Sequence, residues 1–489
     1  MNYADAARIR AVLTNIGMTH VDTIDEADIV VLDTCSVRQK SEDKVTGKIR
    51  EIPSDKKIWI TWCMVQHNLR HAKISKQLHD KTASELMKRG NFVGNVATRD
   101  PEIVGFSNQE MKDLKEYNAD TDNIVFVNHA FNPMFFNFQK TFPNLELIMR
   151  IDDIGFIPRI ASRLGYEVQE WDIELTNEYN DIIPHTWNQL SDANAKTAFV
   201  PVSTGCSQFC AYCIVPYARG LEKNLPADKI IAEARHHIEN GVEEITLIGQ
   251  IVNKHPNFAD ICEAILDIPG LRWLRYTSPY PTFYSDKLLH LHETHPKMCP
   301  HIHMPLQSGS DTILKKMFRG YTAEQFRVFV DRIRALNRDI SITSDIIVGF
   351  CDETEEDFQE SMALTQYARF DMVYIGIYSP RPGTLAHRMM DDNIPKDVKH
   401  DRRDRLNTLL KEISYANNQK EIGRTTDVMI TAIHEDGTID GYTDNMKNIT
   451  IGAPLQREEP TKWEGISVGS FTTATITEGE SFRLKGKLT

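Results

Sequence analysis

The stretch Phe199-Val200-Pro201-Val202-Ser203-Thr204-Gly205-Cys206-Ser207-Gln208-Phe209-Cys210-Ala211-Tyr212-Cys213 decides how the chain is read. An apolar run fit for a buried strand ends in a loop that carries three thiols at CxxxCxxC spacing. Three thiolates within so short a loop can converge on one metal centre. A cubane iron–sulfur cluster normally takes four thiolates, so three leave one iron open to a substrate or cofactor. A zinc knot is the competing reading. Structural zinc sites pair CxxC units with further ligands, and no second CxxC follows here.

Downstream of this loop, strand and helix patterns alternate. Strands are predicted at 199–202, 244–248, 271–276, 301–306, 341–348 and 372–379. Helices are predicted at 226–241, with Asn240-Gly241 as its stop, and at 258–266, 285–293, 311–318, 323–337 and 353–369. Six strands, each separated by helix, imply parallel βα units. Eight would close a barrel, so six predict a partial (β/α)6 barrel, open on one side, with its ligands at the C-terminal strand ends. Gly249, Gln250, Ser278, Gln307, Ser308 and Gly349 fall at those ends. Small residues let a nucleotide-sized ligand approach the backbone, while Gln and Ser supply hydrogen bonds, so these six are the candidate cofactor-binding residues.

Upstream, Ile9, Leu13 and Ile16 recur at helical spacing. The apolar runs Ile29-Val30-Val31-Leu32 and Ile58-Trp59-Ile60 predict buried parallel strands, and Cys35 and Cys63 stand just past their ends. In an open parallel α/β sheet those ends share one rim, which makes the pair candidates for a second metal site. Further strands are predicted at 124–127 and 145–149, an aromatic loop at 131–142 and an interdomain linker at 170–197. After a charged helix over 397–422, short β-rich segments at 427–433, 438–442, 448–451 and 469–477 suggest a small antiparallel barrel, a fold that often binds RNA. The fold class is therefore α/β with three parts. Residues 1–170 form an open parallel α/β domain with an extra segment at about 80–145, residues 198–422 the partial barrel with its trailing helix, and residues 423–489 the small barrel.

Bulk properties agree with a soluble globular chain of about three domains: 489 residues, 41% hydrophobic, 26% charged. No run approaches the ~18 apolar residues needed to span a bilayer, so a cytoplasmic location without membrane contact is expected. Eight cysteines are too few for a disulfide scaffold in a chain of this length. The net charge of -13 argues against whole-surface attraction to nucleic acid and leaves room for a local basic patch.

Cys206 to Cys213 followed by Ile214-Val215-Pro216-Tyr217-Ala218-Arg219-Gly220 resembles the methylthiotransferases of the radical SAM superfamily. So do Leu32-Asp33-Thr34-Cys35-Ser36, Cys63-Met64-Val65-Gln66, Gly249-Gln250-Ile251-Val252-Asn253 and Pro305-Leu306-Gln307-Ser308-Gly309-Ser310. Arg319-Gly320-Tyr321-Thr322, Ile347-Val348-Gly349-Phe350 and Ser379-Pro380-Arg381-Pro382-Gly383-Thr384 complete the likeness, which covers most of the chain. The wording at Gly249–Asn253 and Pro305–Ser310 is similar to the MiaB-type branch, which acts on adenosine 37 of tRNA already carrying an N6-isopentenyl group.

The resemblance implies an N-terminal α/β domain, a radical SAM barrel and a C-terminal TRAM barrel. It implies that Cys206, Cys210 and Cys213 hold a 4Fe-4S cluster whose open iron chelates S-adenosylmethionine. An electron, from a donor such as flavodoxin or ferredoxin, then cleaves the sulfonium, and the resulting radical takes hydrogen from C2 of the adenine. A second 4Fe-4S cluster, on Cys35, Cys63 and a third ligand absent from this chain, supplies sulfur, and a second S-adenosylmethionine supplies the methyl group. Tyr212 packs near the cofactor's adenine, and a monomer is expected. The chain begins Met1-Asn2-Tyr3, as though just after the family's first cysteine, which suggests a truncated start. Trp62 stands where Gly is usual, and Cys351-Asp352 where Pro-Gly is usual; Cys262, Cys299 and Cys351 are read as non-ligands. Two other readings remain: methylthiolation of an aspartate of a small-subunit ribosomal protein, and an RNA-binding protein whose sulfur-donating cluster is incomplete.

Overall fold

The computed structural model describes residues 2–34, 47–62, 142–149, 154, 157–169, 196–452 and 466–489. Outside them lie Cys35, Cys63, the strand expected at 124–127, nearly all of the loop at 131–142 and of the linker at 170–197, and most of the extra segment. The chain forms two compact units. One comprises residues 1–190, 204–223 and 381–388, the other residues 191–203, 224–380 and 389–489.

In the first unit, helix α1 (Asn2–Asn15) precedes strands β1 (Ile29–Thr34), β2 (Lys57–Trp62) and β3 (Leu145–Met149), followed by α2 (Ile157–Arg163). The strands form one parallel sheet in the order β1-β2-β3. Ile58, Trp59, Ile60 and Thr61 are all fully buried, as the unbroken apolar run requires of a central parallel strand. Ile9, Val12 and Ile16 of the first helical segment pack with Trp59, Leu147, Ile157 and Ala161. Ala218, from the short helix α3 (Val215–Arg219) after the cysteine loop, belongs to the same core.

The second unit opens with β4 (Thr197–Pro201), then α4 (Ala227–Glu239), β5 (Glu244–Ile248), α5 (Phe258–Leu266), β6 (Trp273–Tyr276) and α6 (Asp286–Thr294). It continues with β7 (His301–His303), α7 (Asp311–Lys316), α8 (Ala323–Arg334), β8 (Ser341–Val348), α9 (Glu355–Ala368) and β9 (Met372–Ile377). All six strands are parallel, in sheets β4-β5-β6 and β9-β8-β7. Among the described residues a parallel bridge from Leu274 of β6 to Met298, in the segment leading into β7, links the two sheets, so the strands follow one another in chain order as an open six-stranded arc. This is the partial barrel that the six-fold alternation predicts.

Capping boxes start α8 at Thr322 and α9 at Thr354, each pairing the N-cap hydroxyl with the third residue's amide. Helix α10 (Lys396–Gln419) then leads into strands β10 (Thr425–Ile433), β11 (Ile439–Thr443), β12 (Asn448–Ile451), β13 (Phe471–Gly479) and β14 (Leu484–Leu488). These close into a five-stranded barrel around Val428, Ile430, Ile439, Ile449, Ile451 and Ile476. In β12 the buried Ile449 and Ile451 alternate with Asn448 and Thr450, as a small barrel demands, whereas β10 buries Val428, Met429 and Ile430 in a row, Met429 packing with Trp273 outside the barrel core.

Candidate metal centre

The cysteine loop is held by its own backbone. Cys206 N donates to Gly220 O at 3.0 Å, Cys213 N to Cys210 O at 2.9 Å, and Ala386 N to Ala211 O at 2.7 Å. Gly205 has φ +68°, and a Cβ there would lie 2.2 Å from Leu221 O, so only glycine lets the two ends of the loop meet. Phe209 also takes a left-handed φ of 50°, which turns the chain between the first two thiols. Its ring meets Tyr217 edge-on at 6.0 Å, and the Arg388 guanidinium lies 5.7 Å from the centre of the Tyr217 ring. Burial pushes the Tyr217 phenol above its usual pKa, against the pull of Arg388.

Cys206 and Cys210 are buried, each 8% exposed, while Cys213 and Tyr212 are half-buried. Among the described residues none of the three thiols forms a disulfide. Among the described residues, no three His, Cys, Asp or Glu side chains come together closely enough to hold a single ion. A cubane does not require that, because each thiolate takes a different iron. Three thiols in a sheltered, backbone-braced loop therefore suit a cluster better than one zinc.

In the other unit, the strand-end residues are built for close packing. Gly249 is buried against Ser203 and Val252, with the half-buried Gln250 beside it. Ser278 and Gln307 take left-handed φ values of 55° and 72°. Gln307 is locked on both sides, its N donating to Asp345 O at 2.8 Å and its O accepting from Ile347 N at 2.9 Å. Such strain in non-glycine residues persists where the surroundings over-determine it, often at ligand sites. Ser308 is fully buried, and its hydroxyl lies 3.3 Å from that of Ser361 on α9. Gly349, at φ +70°, donates its amide to Glu353 at 2.6 Å and leaves room for the Lys399 side chain. Burial raises the Glu353 carboxyl to about 6, although Arg402 lies 2.8 Å away.

β1 and β2 run in register to their last residues, Thr34 opposite Trp62. Cys35 and Cys63 are the next residues in the sequence and lie outside the described residues.

The strand-end reading missed a polar cluster within the strands. His303 Nδ1 lies 2.9 Å from Thr343 Oγ1 and its Nε2 3.2 Å from Asp345 Oδ2. His301 Nε2 also reaches Thr343 Oγ1 at 2.9 Å, and the Tyr374 ring lies 6.2 Å from that of His303. Burial holds His301 neutral, far below its usual pKa. The paired Asp345 can orient the His303 ring. The signal was in the sequence: His301-x-His303 and Thr343-x-Asp345 place polar residues two apart, on one face of adjacent strands.

Residues 200–365 match the Radical SAM superfamily, and residues 1–83 match Uncharacterized protein family UPF0004. The class is that of the radical SAM proteins, which use a 4Fe-4S cluster and S-adenosylmethionine.

A tRNA-2-methylthio-N(6)-dimethylallyladenosine synthase of Dictyoglomus thermophilum is 30% identical over 496 residues, covering 100% of this chain and 96% of the relative. The synthase of that name from Bacteroides thetaiotaomicron is 29% identical over 504 residues, covering 100% of this chain and 93% of the relative. The chain belongs to the family of radical SAM methylthiotransferases that these synthases represent. A solved radical SAM methyltransferase, TsrM from Kitasatospora setae, is a distant likeness: TM-score 0.42, 12% identity, 74% of this chain and 67% of that one.

Proposed function

We propose that this chain inserts sulfur and a methyl group at C2 of N6-isopentenyladenosine at position 37 of tRNA. The observation that carries this is the full-length match to synthases named for that product, 30% identical across 96% of the first relative. In this reading Cys206, Cys210 and Cys213 hold a 4Fe-4S cluster, and their donor set fits it: three thiols in a braced loop, two of them buried. When bound, the cluster and S-adenosylmethionine supply the radical that removes hydrogen from C2. Tyr212 stacks near the cofactor's adenine, while Gly249, Gln250, Ser278, Gln307 and Gly349 take the rest of it through backbone and amide contacts. Ser308 serves by holding the turn, since its hydroxyl faces Ser361. Cys35 and Cys63 belong to a second cluster that carries sulfur. The C-terminal barrel holds RNA, a flavodoxin- or ferredoxin-like protein supplies electrons, and the enzyme works as a cytoplasmic monomer.

The test is mass spectrometry of tRNA nucleosides from cells lacking the gene. Those cells accumulate N6-isopentenyladenosine, and restoring the gene returns the 2-methylthio form. Cys210→Ser fails to restore it and loses about four irons per chain on anaerobic reconstitution. Unchanged 2-methylthio adenosine in the deletion strain sinks the proposal. An added methylthio group on a ribosomal protein would favour the second reading instead.

A further inference from the structure

At the N-terminal ends of the later parallel strands, Pro300, Ser341 and Asp371 open onto a cavity of about 570 Å³, whose far wall comes from the end of α10 and the β11–β12 turn. A cavity of that size admits a nucleotide-sized group. Four carboxylates line it: Asp371, Glu421 and Asp444 are taken by Lys447 and Arg424, while Asp339 acts on Arg334 through its charge alone. Four other cations line the cavity: Arg334, Arg338, Arg369 and Lys420. Arg334 donates to the carbonyls of Ile340 and Ala368, and Arg338 to those of His292, His295 and Met298. Among the described residues neither pairs with a carboxylate, and the Arg369 and Lys420 side chains have no hydrogen bond or ion pair. Burial pushes the Arg338 guanidinium below its usual pKa, and Arg424 pushes it the same way against the pull of Asp444.

A second observation is independent of charge. Ser341 lines the cavity and is 6% exposed, and among the described residues its buried hydroxyl has no hydrogen-bond partner. A buried hydroxyl left without a partner is costly, and natural proteins seldom keep one without a reason.

We propose that this cavity binds a phosphate group, with Arg369, Lys420 and Arg338 facing its charge and Ser341 donating its hydroxyl. The phosphate comes either from a small phosphorylated molecule or from an RNA backbone. The site lies at the end of the strands opposite the proposed cofactor residues, so it is separate from the proposed chemistry.

The test uses the full, reconstituted chain. Pyrophosphate is titrated at constant ionic strength with thermal shift as readout, and tRNA binding is measured across a salt series. Lys420→Gln and Arg369→Gln remove exposed side chains without partners, so both should fold. A saturable pyrophosphate stabilisation that weakens about 10-fold in each variant supports a small-molecule source. No pyrophosphate effect, but a salt slope for tRNA reduced by about one in each variant, supports an RNA source. Ser341→Ala should weaken the same ligand without lowering the melting temperature of the ligand-free protein. If neither ligand responds to either cation variant, or if Ser341→Ala only destabilises the free protein, the proposal is overturned.

Discussion

Gly205 shows how much one residue sets in the cysteine loop. Its φ of +68° and the 2.2 Å approach of Leu221 O mean that any side chain must push apart the backbone carrying Cys206. Gly205→Ala therefore combines left-handed strain with a steric clash and costs about 2 kcal/mol or more. The reconstituted variant should keep the circular dichroism of the wild type but retain less iron, with a lower melting temperature. A variant with full iron would show that the loop tolerates a Cβ there. The three thiols were legible in the sequence because metal chemistry dictates residue type and spacing together. His303 and Asp345 were not singled out, because a search for strand ends passes over polar residues inside a strand. Their pairing exists only once β7 and β8 are in register.

At the scale of elements, β5 was legible as a near-continuous apolar run, Ile245 to Ile248, while β7 and β8, which carry His301, His303, Thr343 and Asp345, were placed by their alternation with helices. Where a boundary moved, the backbone explains it. The strand expected at 301–306 ends as a ladder at His303. Pro305 has no N–H to offer, and Leu306 N turns to the Ser344 hydroxyl instead. The phosphate cavity was illegible because it is assembled from residues more than a hundred positions apart.

Buried histidines give these elements a pH dependence. His292 on α6 is 1% exposed, 2.6 Å from the Tyr276 hydroxyl, and burial lowers its pKa to about 3. Its folded value lies below the unfolded value of about 6.5, so the neutral ring stabilises the fold above that pH, and the contribution fades as pH falls toward 3. From pH 7 to pH 5 the loss from this one group is about 2 kcal/mol. His292→Gln keeps a hydrogen-bonding group but no titration, so its stability should fall less steeply below pH 6, by about 1.4 kcal/mol per pH unit. Urea melts of both proteins at pH 7 and pH 5 check this. Equal slopes would show that another group governs the acid response.

Within the second unit, the C-terminal barrel is fastened to the parallel strands by a buried charge network. Arg275 of β6, 6% exposed, donates through Nε to Glu244 Oε1 at 2.6 Å and through Nη1 and Nη2 to the carbonyls of Asp444 and Thr443 at 2.7 and 2.9 Å. The Tyr442 hydroxyl donates to the other oxygen of Glu244 at 2.6 Å, and Phe471 meets Trp273 edge-on at 4.7 Å. Asn418 and Gln419, at the end of α10, donate to the carbonyls of Glu480 and Gly479. A barrel held this way keeps a fixed orientation to the strands. Arg275→Met strands Glu244 as a buried, half-satisfied charge and should cost about 3–5 kcal/mol. Adding Glu244→Leu removes the stranded charge and should recover much of that loss, since replacing both partners of a buried pair by apolar groups is often nearly neutral. Because the cysteine loop is in the other unit, iron content should stay at the wild-type level in both variants. tRNA affinity should drop in Arg275→Met and return in part in the double variant. Urea melts, iron analysis and tRNA filter binding on the three proteins distinguish this from a general unfolding defect, which would lower iron and affinity together.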